Sequence, residues 1–380
     1  MKRNILTISA LFILTAIQGF SEEGPATKRF IVVFDASATP EEMQGMIHGN
    51  GGGQFKSLPL IHGAVFQLPA QASPQALQAI AEHRKIVSLH ADVEVFIDGK
   101  PSGGSTQPPQ TLPWGVDRID AELAVGTGMG VKVAVIDTGI SLTHPDLKVA
   151  GGFNCIQSTA SANDDNGHGS HVAGTIAALQ NTIGAVGVAP SASLYAVKVL
   201  NKRGSGWASD IIEGLGWCVT NGMDVANMSF GGTGTTPEYA LAIKNASDAG
   251  VILVAAAGNE AKDVLTSYPA AYPEVIAISA CDAAGKFASF SNFGSKVEFI
   301  APGVSIYSTW KGTGYNTISG TSMASPHAVG TVALLLEDYP GLPLDGVRVA
   351  LRATAENLGL SAGQQGAGLV DAQQAASYAP

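Results

Sequence analysis

The stretch VKVAVIDTG, residues 131–139, decides the fold class of most of the chain. Apart from Lys132, its first six residues are apolar, and Asp137 follows them directly. A strand that is apolar along its whole length is buried on both faces, which is typical of a parallel sheet covered by helices. Ligands bind such sheets at the carboxyl ends of the strands, so the stretch also predicts where a functional site lies.

From Trp114 onward, the sequence repeats this alternation of short apolar strands and helices. We predict strands at residues 131–136, 194–199, 225–228, 251–256, 275–280 and 297–300. The predicted helices lie at residues 171–179, 207–220, 237–249 and 322–338. The pattern indicates an α/β domain whose mostly parallel sheet is covered by helices on both faces.

The region from Lys28 to about Gly99 has another order of elements. We predict strands at residues 30–34, 54–58, 64–68 and 86–96, and helices at residues 40–48 and 73–83. This β-α-β-β-α-β order is that of a split βαβ unit, so a small α+β domain precedes the larger one. Residues 98–113, rich in Gly, Pro, Ser and Thr, predict a mobile and protease-accessible linker between the two.

The composition limits the classes of partner. Of 380 residues, 46% are hydrophobic and 14% charged, and the formal net charge is −10. We find no basic block, which argues against nucleic acid or an anionic membrane as a partner. Three cysteines allow at most one internal disulfide, and we assign no chemistry to Cys155, Cys218 or Cys281.

The first 21 residues predict a secretory signal peptide. They combine a basic start at Lys2 and Arg3 with an apolar run at residues 5–17, which is shorter than the roughly 20 residues of a transmembrane helix. Gly19 and Ser21 are small enough for cleavage after Ser21. We therefore expect a secreted protein without a membrane anchor.

Three residues of complementary chemistry follow predicted strands or begin predicted helices: Asp137, His168 and Ser322. A serine is a poor nucleophile unless a base takes its proton, and the base needs an acceptor that orients it. Ser322, His168 and Asp137 would supply these three roles in turn. Asn259 and the backbone N–H of Ser322 would then stabilise a tetrahedral oxyanion.

Each of these residues also has an ordinary structural interpretation. Asp137 is typical of an Asx turn and Asn259 of a turn after Gly258, while Ser322 could cap a helix. For Ser319, a loop residue, and Ser325, whose hydroxyl the backbone could accept, we keep the structural interpretation. His168 and His171 could hold a metal with Asp164 or Asp165, although the HExxH pattern is absent.

Two other folds are disfavoured by the order of their motifs. GTSMA, residues 320–324, approximates the nucleophile elbow of an α/β hydrolase, but that fold places its histidine well after the serine. Here only His327 follows Ser322, on the same predicted helix. GTGMG, residues 126–130, precedes a strand instead of following one, so it does not predict dinucleotide binding.

Five motifs in sequence order resemble those of the subtilisin-type serine proteases: VAVIDTG, HGSHVAGT, NMSFGG, AAAGNE and GTSMASPH. The resemblance extends from about Gln110 to Ala376. It implies the subtilisin-like fold and a serine endopeptidase with the catalytic residues Asp137, His168 and Ser322, with Asn259 in the oxyanion hole. Because no member of the triad is missing, an inactive peptide-binding homologue is disfavoured.

The resemblance also implies how peptides bind. Residues Ser229, Phe230 and Gly231 would pair with an extended substrate, and Gly231, Ala256 and Gly258 would line a roomy apolar S1 pocket without a charged base. We expect broad specificity with a preference for large apolar P1 residues. Phe230 stands where the family often has Leu, and it could narrow this pocket. Ser170 replaces the usual Thr near the histidine.

A structural calcium site is implied by the same resemblance. Hard Ca²⁺ prefers a mixture of carboxylate, amide and carbonyl oxygens. The implied ligands are the side chains of Gln110, Asp146 and Asn181 and the carbonyl groups of Leu179, Ile183 and Ala185.

The smaller domain resembles a subtilisin-type propeptide, an intramolecular chaperone and inhibitor with a ferredoxin-like fold. The resemblance implies a self-processed zymogen with a signal peptide at residues 1–21, a propeptide at 22–99, a processing region at 100–109 and a peptidase domain at 110–380. We expect the cut upstream of Pro108 and Pro109. The expected partners are protein or peptide substrates and the chain's own propeptide, and we expect a monomer.

Overall fold

The computed structural model describes residues 27–97, except residues 71 and 73, and residues 107–379. The predicted signal peptide and most of the predicted linker lie outside the described residues. The chain forms two compact units, one that ends at Asp92 and one that begins at Val93.

The smaller unit has the predicted order of elements. Four antiparallel strands form a sheet in the order β2-β3-β1-β4. Thr39 and Glu42 form a capping box at the start of the first helix. The elements are β1 (Thr27–Phe34), α1 (Pro40–Gly49), β2 (Gly53–Leu58), β3 (Gly63–Pro69), α2 (Pro74–Ala81) and β4 (Ile86–Ala91).

The predicted strand at residues 86–96 is wrong in one respect, because it is two strands with different partners. β4 ends at Ala91, and β5 (Glu94–Phe96) pairs antiparallel with β9 (Ser205–Trp207) of the larger unit. Buried Asp92 lies at the break and accepts a 3.0 Å hydrogen bond from Arg29 Nε. The apolar pattern runs on through the break, so it carries no signal of a change in partner.

The larger unit is built on a parallel seven-stranded sheet in the order β13-β12-β11-β10-β6-β8-β7. The strand order reverses between β6 and β10, which is the topological switch point where α/β sheets bind ligands. The strands of this sheet are β6 (Lys132–Asp137), β7 (Val149–Asn154), β8 (Ser193–Lys198), β10 (Val225–Met228), β11 (Ile252–Ala256), β12 (Val275–Cys281) and β13 (Val297–Pro302).

The remaining elements surround this sheet or extend from it. β14 (Ile306–Thr309) and β15 (Tyr315–Ile318) form an antiparallel pair. Short 3-10 turns lie at Ala121–Leu123 and Val264–Thr266 of the larger unit, and another, at Pro59–Ile61, belongs to the smaller unit. The helices are α3 (Trp114–Arg118), α4 (His168–Ala177), α5 (Ala208–Thr220), α6 (Pro237–Asp248), α7 (Thr321–Asp338), α8 (Leu344–Thr354), α9 (Ala362–Gln365) and α10 (Ala372–Ala376).

The prediction missed some elements of the larger unit. β7 is an edge strand that contains Gly151 and Gly152, so it lacks an apolar run. α4 begins at His168 and not at residue 171, because its first turn consists of histidines, Gly169 and Ser170. α8 was not predicted, although Val347, Ala350 and Leu351 form its buried face.

α7 is the central helix of the larger unit. Every residue from Thr321 to Leu336 is buried, because the helix contacts the sheet, α4 and α10. Its apolar residues therefore surround it instead of forming a single stripe. A helix buried on all sides has to find partners for its terminal N–H groups inside the protein.

Two further observations concern cysteines and membrane spans. Cys155, Cys218 and Cys281 are all buried, and none of them is joined to another in a disulfide, so the one disulfide that the sequence allowed is not formed. Within the described ranges, every helix is too short or too polar to cross a bilayer.

Candidate active site

Asp137 and His168 form a buried contact at the carboxyl end of β6. His168 Nδ1 lies 2.9 Å from Asp137 Oδ1 and 3.0 Å from Oδ2, and the two residues are 2% and 0% exposed. A carboxylate only accepts hydrogen bonds, so the proton of the neutral ring is on Nδ1. The basic nitrogen is therefore Nε2.

The short distance between these two residues requires a glycine after His168. A Cβ atom at Gly169 would lie 2.1 Å from the carbonyl oxygen of Gly139 and 3.1 Å from Asp137 Oδ1. The segment after β6 could not approach α4 so closely past any larger residue. The backbone of residue 139 therefore passes directly against the first turn of α4 at Gly169.

Asp164 connects the two segments that carry Asp137 and His168. Its Oδ1 accepts hydrogen bonds from Thr138 Oγ1 and from the N–H groups of Asn166 and Gly167, and its Oδ2 accepts two from Ser170. Sequence reasoning considered Asp164 only as a metal ligand. The missed signal was an Asx turn just before a helix.

The metal site considered for His168 and His171 is not formed. His171 Nε2 lies 3.0 Å from the carbonyl oxygen of Ile306, whereas His168 contacts Asp137 and Asp164 accepts N–H and O–H groups. In the ranges that the structure describes, no group of three His, Cys, Asp or Glu side chains is placed to hold a metal.

Ser322 lies in the first turn of α7, which packs against α4. Its Oγ donates a 3.0 Å hydrogen bond to the carbonyl oxygen of Ser229, and Ser229 Oγ donates a 2.8 Å bond back to the Ser322 carbonyl. The helix start and the segment after β10 are therefore joined in both directions.

The neighbouring serines differ from Ser322. Ser319 Oγ accepts from the N–H of Ser305, as a loop residue would. Ser325 Oγ donates to Asn227 Oδ1 at 2.8 Å and not to the backbone, so our prediction for Ser325 is wrong. The physical reason is that the buried amide of Asn227 competes for this hydroxyl.

Asn259 and the start of α7 surround one small space. Asn259 Oδ1 accepts from Thr321 N at 2.8 Å and from Thr321 Oγ1 at 3.0 Å, which fixes the orientation of the amide. A Cβ atom at Gly320 would lie 3.5 Å from Asn259 Nδ2 and 3.7 Å from Ser322 N. Two N–H donors therefore border the same point.

The chain's own residues 94–97 occupy a cleft beside this site. Gly231 and Phe96 exchange two backbone hydrogen bonds of 3.1 Å, and on the other side β5 pairs with β9. An extended strand thus lies between Gly231 and residues 205–207. We call residues 229–231 the first wall of the cleft and residues 205–207 the second wall. The sequence analysis predicted the first wall and missed the second.

Gly231 and Gly258 border a common space that follows β11, whose last residue is Ala256. Cβ atoms at these glycines would lie 3.3 Å and 3.0 Å from Ser267 Oγ. The Glu260 carboxylate would lie 2.9 Å from the Cβ at Gly258. The predicted pocket without a charged base therefore has an exposed carboxylate beside one wall. The Phe230 side chain is buried.

A cluster of oxygen atoms surrounds Asp146, which is 0% exposed. Its carboxylate accepts from Asn181 Nδ2, from Ala185 N and from Tyr315 Oη, and burial raises the pKa of this carboxyl. Gln110 Nε2 donates to the carbonyl groups of Leu179 and Ala185. Ile183 lies in the same loop and donates its N–H to Asn181 Oδ1. The structure thus brings Gln110, Asp146, Leu179, Asn181, Ile183 and Ala185 together.

This cluster fits a hard cation. The hydrogen bonds to the buried Asp146 carboxylate come from an amide, a backbone N–H and a hydroxyl, none of which is positively charged, so the negative charge of this carboxylate is costly. The amide NH₂ groups of Gln110 and Asn181 donate hydrogen bonds to the carbonyl and carboxylate oxygens of the cluster. Rotating each amide by half a turn would present oxygen to a bound ion.

Two buried histidines lie behind the site. His327, in α7, has its Nδ1 2.8 Å from the Met323 carbonyl, and its Nε2 has no hydrogen-bond partner. Burial lowers the pKa of His327 to about 4 and that of His171 to about 3, because a charged ring would lose its hydration. Both rings are therefore neutral at neutral pH.

Comparisons with known proteins found a matching family and similar sequences. The model of the Subtilase family matches residues 128–369, a segment that contains the candidate residues Asp137, His168, Asn259 and Ser322. The thermostable alkaline protease of Halalkalibacterium halodurans is 39% identical over 388 residues, which cover 99% of this chain and 98% of that protein.

Two subtilisins are also similar to this chain. Subtilisin NAT of Bacillus subtilis subsp. natto is 40% identical over 395 residues, which cover 99% of this chain and 100% of that protein. Subtilisin Savinase of Lederbergia lenta is 48% identical over 269 residues, which cover 70% of this chain and 99% of that protein.

The buried His327 predicts a pH dependence of stability. Between about pH 6.5 and about pH 4 the unfolded chain binds a proton at this position and the folded chain does not, so stability falls as the pH falls. One fully buried ring contributes up to about 1.4 kcal/mol per pH unit. In His327→Gln, the unfolding free energy should fall less steeply over this window.

Urea unfolding on a Ser322→Ala background measures this slope while the chain stays intact. Ser279→Ala, which alters a buried side chain that does not titrate, is the matched control and should keep the original slope. Equal slopes for His327→Gln and its parent would contradict the prediction.

Proposed function

The chain belongs to the Subtilase family and is a serine endopeptidase, and from this premise we propose that Ser322, His168 and Asp137 are its nucleophile, base and orienting carboxylate. The observation that carries the proposal is the buried contact of His168 Nδ1 with both oxygens of Asp137. It fixes the tautomer and leaves Nε2 as the base.

In the proposed reaction, the Ser322 hydroxyl turns from the Ser229 carbonyl towards His168 and attacks the scissile carbonyl carbon. His168 Nε2 takes the hydroxyl proton, and Asp137 stabilises the resulting imidazolium. The proton then passes to the leaving amine as the C–N bond breaks. Water attacks the acyl-enzyme with its proton going to Nε2, and that proton returns to Ser322 as the acid product leaves.

The oxyanion is stabilised by two preorganised donors in this proposal, Asn259 Nδ2 and the backbone N–H of Ser322. Support comes from the space that both donors border beside Gly320. Because Thr321 holds Asn259 Oδ1 through two hydrogen bonds, the amide need not reorganise during the reaction. The positive end of the α7 dipole adds to the same field.

Ser322→Ala tests the nucleophile and the proposed self-processing together. We expect this variant to accumulate as an uncut precursor, whereas the wild-type chain matures and is labelled at Ser322 by a sulfonyl fluoride. Ser319→Ala, a loop serine of the same stretch, should mature normally. Gel electrophoresis and N-terminal sequencing measure maturation. If they show that Ser322→Ala matures normally, self-cleavage by Ser322 is excluded. A metallohydrolase would instead resist the sulfonyl fluoride and lose activity at once with a chelator.

Peptide substrates are proposed to bind as an extended strand between Gly231 and residues 205–207. The support is that residues 94–96 already pair with both walls through backbone hydrogen bonds. Ser229 and Phe230 continue the first wall, and Gly231, Ala256 and Gly258 line the S1 pocket. We propose broad specificity with a preference for large apolar P1 residues.

Glu260 adds a secondary preference for basic P1 residues, because its carboxylate lies beside Gly258. It is exposed and accepts a 2.8 Å hydrogen bond from Asn292 Nδ2, so the effect should be modest. In Glu260→Gln, the ratio of kcat/KM for P1 Lys over P1 Phe peptides should fall about two- to fivefold. Profiling both proteins on one peptide library measures this ratio, and an unchanged ratio would count against the role of Glu260.

Residues 22–99 are proposed to act as a propeptide, with the cut in the segment before Pro108. One support is the strand of residues 94–96 in the proposed substrate cleft. A second support is the difference in length between two relatives. The alkaline protease of Halalkalibacterium halodurans aligns with 99% of this chain, whereas Subtilisin Savinase aligns with only 70% of it. The difference has about the length expected for the signal peptide, propeptide and processing region.

Secretion is proposed from the charge and apolar pattern of residues 1–21. A secreted, acidic and monomeric enzyme also agrees with the formal net charge of −10, which keeps copies of the chain apart.

Calcium is proposed to bind among Gln110, Asp146, Asn181 and the carbonyl groups of Leu179, Ile183 and Ala185. The ion would supply the positive charge that the buried Asp146 carboxylate lacks and would tie residue 110 to the loop of residues 179–185. It has a structural role in this proposal and takes no part in the chemical steps.

Asp146→Asn tests the calcium proposal through stability. In sulfonyl-fluoride-inhibited mature wild type, adding calcium at about 100 times its Kd should stabilise the fold by about 2.7 kcal/mol, which appears as a higher Tm. The variant should lose this shift and bind less calcium in equilibrium dialysis. Asp282→Asn, which removes a carboxylate that accepts two loop N–H groups, should retain it. A calcium-dependent Tm in Asp146→Asn would contradict the assignment.

A further inference from the structure

A closed ring of hydrogen bonds joins the end of β10 to the first turn of α7. Asn227 Nδ2 donates to Ser229 Oγ at 2.8 Å, and Ser229 Oγ donates to the Ser322 carbonyl at 2.8 Å. Ser325 Oγ donates to Asn227 Oδ1, also at 2.8 Å. The backbone of α7 between Ser322 and Ser325 completes the ring.

The ring is fully enclosed by the protein. Asn227, Ser229 and Ser325 are each 0% exposed, and Ser322 is 2% exposed. On β10, Asn227 is flanked in register by Val135 of β6 and Val254 of β11. An amide in this apolar setting costs about 1–3 kcal/mol if its hydrogen bonds are lost, so an aliphatic residue would serve the sheet better. The amide is instead bonded at one end to Ser229 of the proposed substrate wall and at the other end to Ser325, one helical turn after Ser322.

We propose that Asn227 is a positioning residue that holds the Ser322 peptide group in register with the substrate strand. The inference rests on the proposed role of Ser322 as the nucleophile. Asn227 acts through Ser229 and Ser325 and touches no substrate itself. The Ser229 carbonyl also accepts a hydrogen bond from the Ser322 hydroxyl. Ser229 is the first residue of the proposed substrate wall. One ring therefore sets the distance between the bound peptide, the nucleophile and the N–H donor of Ser322.

Loss of the ring should act on the transition state more than on substrate binding. The donor at Ser322 N and the nucleophile at Ser322 Oγ belong to one residue, so a small shift of this residue misplaces both. A misplacement of about 1 Å can lower a rate by about 10²-fold. Substrate binding through Gly231 and residues 205–207 does not depend on the ring, so KM should change little.

The test compares Asn227→Leu and Ser325→Ala with the wild type. We expect kcat on a peptide anilide to fall about 10- to 100-fold in each variant, with KM within about threefold. The rate of sulfonyl fluoride labelling at Ser322 should fall in parallel. Because both substitutions break the same ring, the double variant should lose little more than the worse single variant. Ser325→Thr keeps a hydroxyl and should restore most of kcat.

Ser279→Ala is the matched control for a merely structural loss. Ser279 is also 0% exposed on a strand of the sheet, and its Oγ donates to the Gln364 carbonyl at 2.5 Å, away from the proposed site. This variant should have a lower Tm and an unchanged kcat. The proposal is overturned if Asn227→Leu and Ser325→Ala likewise lose Tm while keeping wild-type kcat and labelling rate.

Two arrangements keep the outcomes distinct. If Asn227→Leu does not mature, Ser325→Ala with its Ser325→Thr rescue decides the question, because these changes are smaller. If wild-type enzyme is active but is not labelled at Ser322, the proposed nucleophile is wrong, and this result is separate from any effect of the ring.

Discussion

The burial of α7 from Thr321 to Leu336 is the constraint on which the site depends. The first N–H groups of a helix have no partner within it, and the residues that carry them here are buried. The chain meets this need with residues that follow the neighbouring strands: Asn259 accepts Thr321 N, and the Gly320 carbonyl accepts Met323 N. The partners required by a buried helix end therefore surround the candidate nucleophile. Stability and site geometry have the same origin.

Much of the fold could be predicted from local patterns. Apolar runs such as residues 131–136 and 225–228 identified central strands, because a strand covered on both faces has no polar side. The positions of Asp137, His168, Asn259 and Ser322 at strand ends and helix starts followed from the same alternation. The structure brings Asp137 to His168, and Asn259 to the turn that holds Ser322. The resemblance of five motifs added the roles of these residues.

The features that the sequence did not predict depend on tertiary partners. β7 contains two glycines and is a strand only because β8 lies beside it. β5 follows β4 after only two residues, and what separates the two strands is that they pair with different partners. The sequence around Asp164 and Ser325 does not show their hydrogen-bond partners. In the structure, Asp164 accepts hydrogen bonds from Thr138 and Ser170 and so joins two segments, and Ser325 donates one to Asn227. Glu260 follows Asn259 in the sequence, but its position beside Gly258 depends on Asn292.

The strand of residues 94–96 has a consequence for how activity would begin. While this segment is covalently attached, its occupancy of the cleft is an intramolecular equilibrium, so the concentration of enzyme cannot change it. The proposed cut, between residues 97 and 108, would turn the same pairing into an encounter between two molecules. Dilution would then release the cleft, and any peptide present at high concentration would compete with residues 94–96 for the two walls. The onset of proteolysis would then depend on the volume into which the protein is released, a quantity that no residue of the chain encodes.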